Sequence, residues 1–120
     1  MTSVCNELNP DQLRQVTELM AECAAHDRAP IPVQFEGLLH FHKELPLWYL
    51  LEENGQLAAF VSIFNPMADL AEISACVKPA LRHLGRFGRL MDMVRAECRK
   101  FGMANLLLVV DDGSAAGKSL

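Results

Sequence analysis

The sequence has no excess of positive charge, no long apolar run and no apolar segment behind a basic start. Its 11 lysines and arginines are outnumbered by 15 aspartates and glutamates, giving a net charge of -4. This balance argues against a nucleic-acid binder with a broad basic face. No apolar run approaches the roughly 20 residues of a membrane helix, and the start is unlike a signal peptide. We therefore expect a cytoplasmic protein that binds neither nucleic acid nor membranes.

Closely spaced metal-ligating or redox-active cysteines are also lacking. The cysteines are Cys5, Cys23, Cys76 and Cys98. Since none forms a C-x-x-C pair, the spacing indicates neither a zinc site nor a thioredoxin-like motif. The last three lie in apolar surroundings, and we interpret them as reduced thiols of the core. His40 and His42 would share one side of a strand, but no third ligand lies nearby, so we expect no metal site.

What is present is typical of one folded domain. The sequence is 51% hydrophobic and 22% charged over 120 residues, which is enough for a core. "LNPDQLRQVTELMAECAAH" predicts a helix, with Asn9 as its cap, Pro10 in the first turn and Gln12 at the reciprocal capping position. The prolines of "DRAPIPV" end it. A second short helix is expected over residues 34–45.

The middle of the sequence changes to strand patterns. "LWYLLEENGQLAAFVSIFNP" predicts a hairpin, because Asn54-Gly55 suits a turn with positive φ at both positions. "AEISACV" predicts a third strand, and an amphipathic helix follows it and ends at Gly102. "ANLLLVV" is typical of a strand inside a sheet. The order predicts a mixed α/β sheet with helices on its faces and one right-handed strand-helix-strand crossover.

The end of the sequence, "LLLVVDDGSAAGKSL", superficially resembles a nucleotide-binding P-loop. That motif requires G-x-x-x-x-G-K-[ST] followed by a helix. Here Asp112 stands where the first glycine belongs, and only Leu120 follows Ser119. We instead expect a turn at residues 111–114, with Asp112 or Ser114 capping the start of a helix.

A second glycine-containing loop, in "VKPALRHLGRFGRLM", has the chemistry of an anion site. Gly85 allows close approach of the backbone to a ligand, and the following helix start supplies unpaired amides and a partial positive charge. Arg82, Arg86 and Arg89 add full charges nearby. The spacing is compatible with a phosphate or diphosphate site. It is equally compatible with an ordinary strand-to-helix turn that has solvated arginines.

This segment resembles the acyl-CoA-binding motif of the GNAT superfamily (GCN5-related N-acetyltransferases), V-x-P-x-x-R-x-x-G-x-G/A. Val77, Pro79, Arg82 and Gly85 match in order and spacing. Phe87 replaces the last Gly or Ala, and Arg86 stands in place of a small aliphatic residue. The preceding hairpin and the following strand are similar to those of the family, so the resemblance covers roughly residues 8–120. It implies the acyl-CoA N-acyltransferase fold and acetyl-CoA as co-substrate, with no metal.

The resemblance also implies site residues. The turn would bind the diphosphate of CoA with its amides, and the preceding strand would pair with the pantetheine arm. The implied coenzyme-binding residues are Ala75, Cys76, Val77, Arg82, His83, Leu84, Gly85, Arg86, Phe87 and Gly88. Glu72 is the candidate general base that would take a proton from the attacking amine. The function implied is acetyl transfer to a small-molecule or peptide amine.

The family's fold continues with another helix, often carrying a tyrosine as general acid, and two more strands. Only ten residues follow Val110, and the sole tyrosine is Tyr49. We therefore expect an incomplete GNAT-like domain, residues 1–120, that is truncated or split, completed by a second copy, or degenerate. The apolar "NLLLVV" edge favours pairing with another chain, such as a homodimer. The alternative function is an inactive GNAT-like module for dimerisation or ligand binding.

Overall fold

The fold is built on a five-stranded sheet whose strands follow one another in chain order. The computed structural model describes residues 2–28, 42, 44–82, 85–103 and 105–108. The strands are β1 (Thr2–Cys5), β2 (Trp48–Glu53), β3 (Gln56–Met67), β4 (Leu70–Val77) and β5 (Asn105–Leu108), and the helices are α1 (Pro10–Asp27) and α2 (Arg86–Lys100). The first four strands pair antiparallel, and β5 pairs parallel to β4 after the α2 crossover. The predicted mixed α/β sheet is confirmed.

Helix α1 begins where the capping pattern predicts. The Asn9 side chain accepts a hydrogen bond from the Gln12 amide at 2.8 Å, and the Gln12 side chain accepts one from the Asn9 amide at 2.9 Å. The two bonds satisfy backbone donors that a helix start otherwise leaves unpaired. Val16, Leu19 and Cys23 form the buried stripe of this helix.

The hairpin between β2 and β3 also agrees with its sequence signal. Asn54 and Gly55 have φ values of 54° and 76°, the left-handed pair that this tight turn requires. The register places Trp48 opposite Ser62 and Leu50 opposite Phe60. Strand β3 continues to Met67, one residue beyond the predicted hairpin.

The two helices cover opposite faces of the sheet. Side chains alternate in direction along a strand, so the contacts of single strand residues show which face each helix covers. On β4, the Cys76 thiol donates to the Leu19 carbonyl of α1 at 3.7 Å. Tyr49 of β2 projects from the other face and lies beside Cys98 of α2. The core therefore has two layers, one under each helix, as predicted. Cys23, Cys76 and Cys98 are unpaired and buried, which confirms their interpretation as core thiols.

The structure also differs from the sequence-based expectation. Strand β1 was not predicted; it forms because Thr2–Cys5 pairs with the edge of β2, a partner more than forty residues away. The short helix expected over 34–45 lies mostly outside the described residues. The same holds for residues 109–120, where the P-loop comparison and the turn at residues 111–114 were placed.

Candidate functional site

One edge of β4 is available next to the start of α2. Strand β5 pairs only with the first half of β4, from Leu70 opposite Asn105 to Ile73 opposite Leu108. On the other side, β3 pairs with β4 as far as Val77. Within the described residues, the second half of β4 therefore has a strand neighbour on one side only.

The direction of the backbone groups on that half of β4 follows from one cross-strand bond. The Lys78 amide donates to the Ala58 carbonyl of β3 at 2.8 Å. Because N–H and C=O groups alternate in direction along a strand, Ala75 and Val77 direct theirs to the opposite, open edge. The Val77 carbonyl is already engaged, since it accepts from Arg82 Nε at 2.9 Å and from Cys23 Sγ at 3.3 Å. The Ala75 amide and carbonyl and the Val77 amide remain at the open edge.

The backbone groups of Cys76 have the opposite direction from those of Ala75 and Val77. By the same alternation, its backbone groups are directed to β3, where it lies opposite Phe60. The residue is 3% exposed, and its thiol is directed to α1. Burial and the neighbouring Cys23 thiol raise the pKa of Cys76, with the hydrogen bond to Cys23 as the larger cause. Of the three strand positions predicted to contact pantetheine, Ala75 and Val77 thus present backbone groups at the open edge.

The turn after β4 leads directly into α2. A short 3₁₀ segment, Pro79–Leu81, follows the strand, and Gly85 caps α2 with a left-handed φ of 84°. A Cβ at Gly85 would meet no heavy atom within 4 Å, so the glycine faces open space. His83 and Leu84 lie outside the described residues.

The start of α2 provides donors for an anion. No side chain caps the helix, and the Gly85 carbonyl already accepts from the Arg89 amide at 3.1 Å. The amides of Arg86, Phe87 and Gly88 are in the first turn, where a helix has no internal acceptors for them. The helix dipole adds partial positive charge at the same place. The Phe87 ring packs against the core, so it does not occupy the turn.

Two of the three arginines predicted at the turn are engaged with carboxylates. Arg82 donates from Nη1 and Nη2 to the two oxygens of Asp27, at 2.6 and 2.9 Å. Arg86 donates from Nη2 and Nε to the two oxygens of Glu53, at 2.8 and 3.0 Å. Arg89 is exposed and forms no close ion pair among the residues that the structure describes, although its charge contributes to lowering the pKa of Glu53.

These ion pairs lower the pKa values of their carboxylates. Two hydrogen bonds from Arg82 hold the pKa of Asp27 below its usual value, and Arg86 does the same for Glu53. Both carboxylates are thus ionised at neutral pH, and each neutralises the charge of its arginine. Asp27 and Glu53 are functional candidates that the sequence analysis missed. They are 55 and 33 residues from their partners, and no local pattern connects residues so far apart.

Glu72, the predicted base, lies in the middle of β4. It is half-buried, opposite Phe64 on β3 and Leu107 on β5. No hydrogen bond or ion pair joins the Glu72 side chain to another residue of the described ranges, so its carboxylate is available to a ligand. No group of three or more metal-ligating side chains occurs in the described part of the chain. Likewise, no described helix is both long and apolar enough to cross a membrane.

The comparisons with known proteins agree with this geometry. The model of the acetyltransferase (GNAT) family matches residues 6–118. No curated protein sequence matches significantly. Among solved structures, the PaiA N-acetyltransferase of Thermoplasma acidophilum in complex with coenzyme A superposes with a TM-score of 0.76 at 17% identity, covering 99% of this chain and 85% of that one.

Two further structures show how the chain compares in length. The ribosomal-protein-S18-alanine N-acetyltransferase of Escherichia coli gives a TM-score of 0.68 at 23% identity, over 99% of this chain and 73% of that one. N-acetylglutamate synthase of Neisseria gonorrhoeae, complexed with coenzyme A and N-acetyl-glutamate, gives 0.66 at 19% identity. The match covers 93% of this chain and only 26% of the synthase, so the chain spans about a quarter of that protein. At these identities the likeness concerns the fold alone.

Proposed function

This chain belongs to the acetyltransferase (GNAT) family, and on that premise we propose that it binds acetyl-CoA and transfers the acetyl group to an amine. The observation that carries the proposal is the open edge of β4 at Ala75 and Val77, next to the Gly85-capped start of α2. A backbone edge and an anion-binding turn are the two surfaces that a pantetheine arm and a diphosphate require.

The diphosphate would bind at the turn. The amides of Arg86, Phe87 and Gly88 would donate to its oxygens, and the open space at Gly85 would allow the close approach. The exposed guanidinium of Arg89, which forms no close ion pair among the described residues, would add positive charge. His83 and Leu84 stay part of the proposed binding segment by their position in the sequence.

The pantetheine arm would run along the open edge of β4. Its amide groups would exchange hydrogen bonds with the Ala75 amide and carbonyl and the Val77 amide, as an added strand does. This arrangement would direct the thioester towards Ile73 and Leu108, the last β4–β5 pair among the described residues. Glu72 lies one residue before Ile73.

In the proposed reaction the amine nitrogen attacks the carbonyl carbon of the thioester, and the carbon–sulfur bond then breaks. Glu72 accepts the proton that the amine loses, and the coenzyme leaves as a thiolate that water protonates. The products are an amide and free CoA. The four unpaired thiols of the chain suit a reducing compartment, which supports a cytoplasmic location for the reaction.

The first test is calorimetric titration of the protein with acetyl-CoA. Gly85→Glu should abolish binding, because a side chain and a negative charge would occupy the diphosphate position. Gly102→Glu is the matched control: Gly102 also has a left-handed φ, 70° against 84°, and also faces open space, but it lies at the other end of α2. Equal binding by the wild type and Gly85→Glu would contradict the proposal.

The second candidate function is an inactive GNAT-like module that binds its ligand or dimerises without chemistry. The exposed apolar edge strand β5, with Leu107 52% exposed, favours it. Release of CoA thiol from acetyl-CoA in the presence of a panel of amines separates the two. A protein that binds acetyl-CoA but releases no thiol with any amine class would be the module.

A further inference from the structure

Arg82 and Arg86 lie at the two ends of the turn between β4 and α2, and each donates hydrogen bonds to two different residues. Arg82 donates through Nη1 and Nη2 to Asp27 and through Nε to the Val77 carbonyl, at 2.6, 2.9 and 2.9 Å. Arg86 donates through Nη2 and Nε to Glu53 and through Nη1 to the Leu81 carbonyl, at 2.8, 3.0 and 3.1 Å. Each guanidinium therefore joins a carboxylate on one element to a backbone carbonyl next to the turn.

The carboxylates belong to elements whose other residues contribute to the core. Asp27 is the last residue of α1, and its side chain is 3% exposed beside an Arg82 side chain that is 12% exposed. Glu53 is the last residue of β2, and the Arg86 side chain on it is 15% exposed. Planar, bidentate pairs of this kind fix direction as well as distance.

From this arrangement we infer that Asp27 and Glu53 are positioning residues for coenzyme binding, which act through Arg82 and Arg86 to hold the two ends of the turn. Each pair neutralises one of the positive charges near the turn. The diphosphate then depends on backbone amides that must already be aligned, since ordering them during binding would reduce affinity. This inference rests on the proposed function.

The test uses two ligands that differ in the diphosphate. CoA contacts the turn and the β4 edge, whereas pantetheine contacts the edge alone. Asp27→Asn keeps the shape of the side chain but removes its charge, and Glu53→Gln does the same at the other end of the turn. Dissociation constants are measured for both ligands by NMR titration. Asp92→Asn is the control, since Asp92 on α2 pairs with Arg95 at 3.5 Å and is 82% exposed.

We expect Asp27→Asn and Glu53→Gln each to raise the dissociation constant for CoA about tenfold, a loss of about 1.4 kcal/mol. Their dissociation constants for pantetheine should stay within about twofold of the wild type, well below the tenfold change expected for CoA. Wild-type affinity for CoA in both variants would overturn the inference. So would an equal loss for CoA and pantetheine, because a general loosening of the fold affects both ligands.

Amide hydrogen exchange keeps the inference separate from the proposed function. In Asp27→Asn or Glu53→Gln, the Leu81 and Arg89 amides, which donate to the Lys78 and Gly85 carbonyls at 2.8 and 3.1 Å, should exchange about tenfold faster than in the wild type, a factor that corresponds to about 1.4 kcal/mol of local stability. If Asp27→Asn does not fold, the exchange rates can still be measured in Glu53→Gln, because the Glu53 side chain is partly exposed. Failure of the wild type to bind CoA would contradict the proposed function alone. Unchanged exchange in the variants would contradict the positioning role.

Discussion

At the scale of single residues, the chemistry of the candidate site depends on which carboxylates are free and which are paired. Asp27 and Glu53 are committed to Arg82 and Arg86. Glu72 is half-buried, and its side chain makes no hydrogen bond or ion pair within the described ranges. A base must keep its carboxylate available to the substrate, so of these three only Glu72 suits that role.

Glu72→Gln tests the proposed base. The amide has the same shape but accepts no proton, so we expect acetyl transfer to fall about a hundredfold or more. Binding of acetyl-CoA should be unchanged, because the proposed coenzyme contacts are elsewhere on β4 and at the turn. The rate is followed by release of the CoA thiol. Glu97→Gln, at another partly exposed glutamate on α2, is the control. A Glu72→Gln protein with the wild-type rate and pH profile would exclude Glu72 as the base.

The buried pair between Asp27 and Arg82 predicts a pH-dependent contribution to stability. Arg82 lowers the pKa of Asp27 in the folded protein, and His26 Nδ1 lies 3.2 Å from the same carboxylate. In the unfolded chain this pKa is about 3.9. The stabilisation is therefore fully present above about pH 4 and is lost as the pH falls through the lower, folded-state pKa.

Urea unfolding of the wild type and Asp27→Asn measures this contribution. At pH 7 the variant should be less stable by about 2 kcal/mol, since it weakens two charged hydrogen bonds. The difference should shrink steadily below about pH 4, the unfolded-state pKa of an aspartate. A difference that stays constant down to pH 2.5, or is absent at pH 7, would show that the pair does not stabilise the fold.

At the scale of helices and strands, local signals in the sequence predicted most elements. The capping residues Asn9 and Gln12 placed the start of α1, and Asn54-Gly55 placed the hairpin turn. These predictions are correct because each depends on interactions between residues close together in the sequence. Strand β1 has no such signal: its four residues form a strand only by pairing with Trp48 to Leu51.

The candidate site was predictable to the extent that it is made of backbone. The glycine and the helix start that follow β4 are visible in the sequence because a ligand-binding turn needs them locally. The ion pairs of Arg82 and Arg86 were not predictable, since their partners come from α1 and β2 and meet the turn only after folding. The arginines therefore suggested free charge in the sequence, whereas in the structure both are paired.

The exposed edge strand predicts association. Strand β5 carries Leu106 and Leu107, which are 37% and 52% exposed, and such an edge tends to pair with another chain. We expect light scattering to give about twice the 13.3 kDa mass of the chain. Leu107→Lys should give the monomer. Val4→Lys is the matched control, because Val4 is 38% exposed on the opposite edge strand. A wild-type monomer at high concentration would contradict the prediction.

At the scale of the whole molecule, the fold brings one edge of a sheet and one end of a helix to the same place. Strand β3 pairs along one edge of β4, and among the described residues β5 pairs with only half of the other edge. Helix α2 starts a few residues beyond the open half. Solved structures with only 17% to 23% identity to this chain have the same fold.

We propose that the open edge of β4 and the start of α2 together bind the coenzyme, and a crystal structure of the protein with CoA would show whether they do. We expect diphosphate oxygens within hydrogen-bonding distance of the Phe87 and Gly88 amides, and the pantetheine arm paired with Ala75. Coenzyme bound elsewhere on the protein, or an empty turn at saturating CoA, would contradict it.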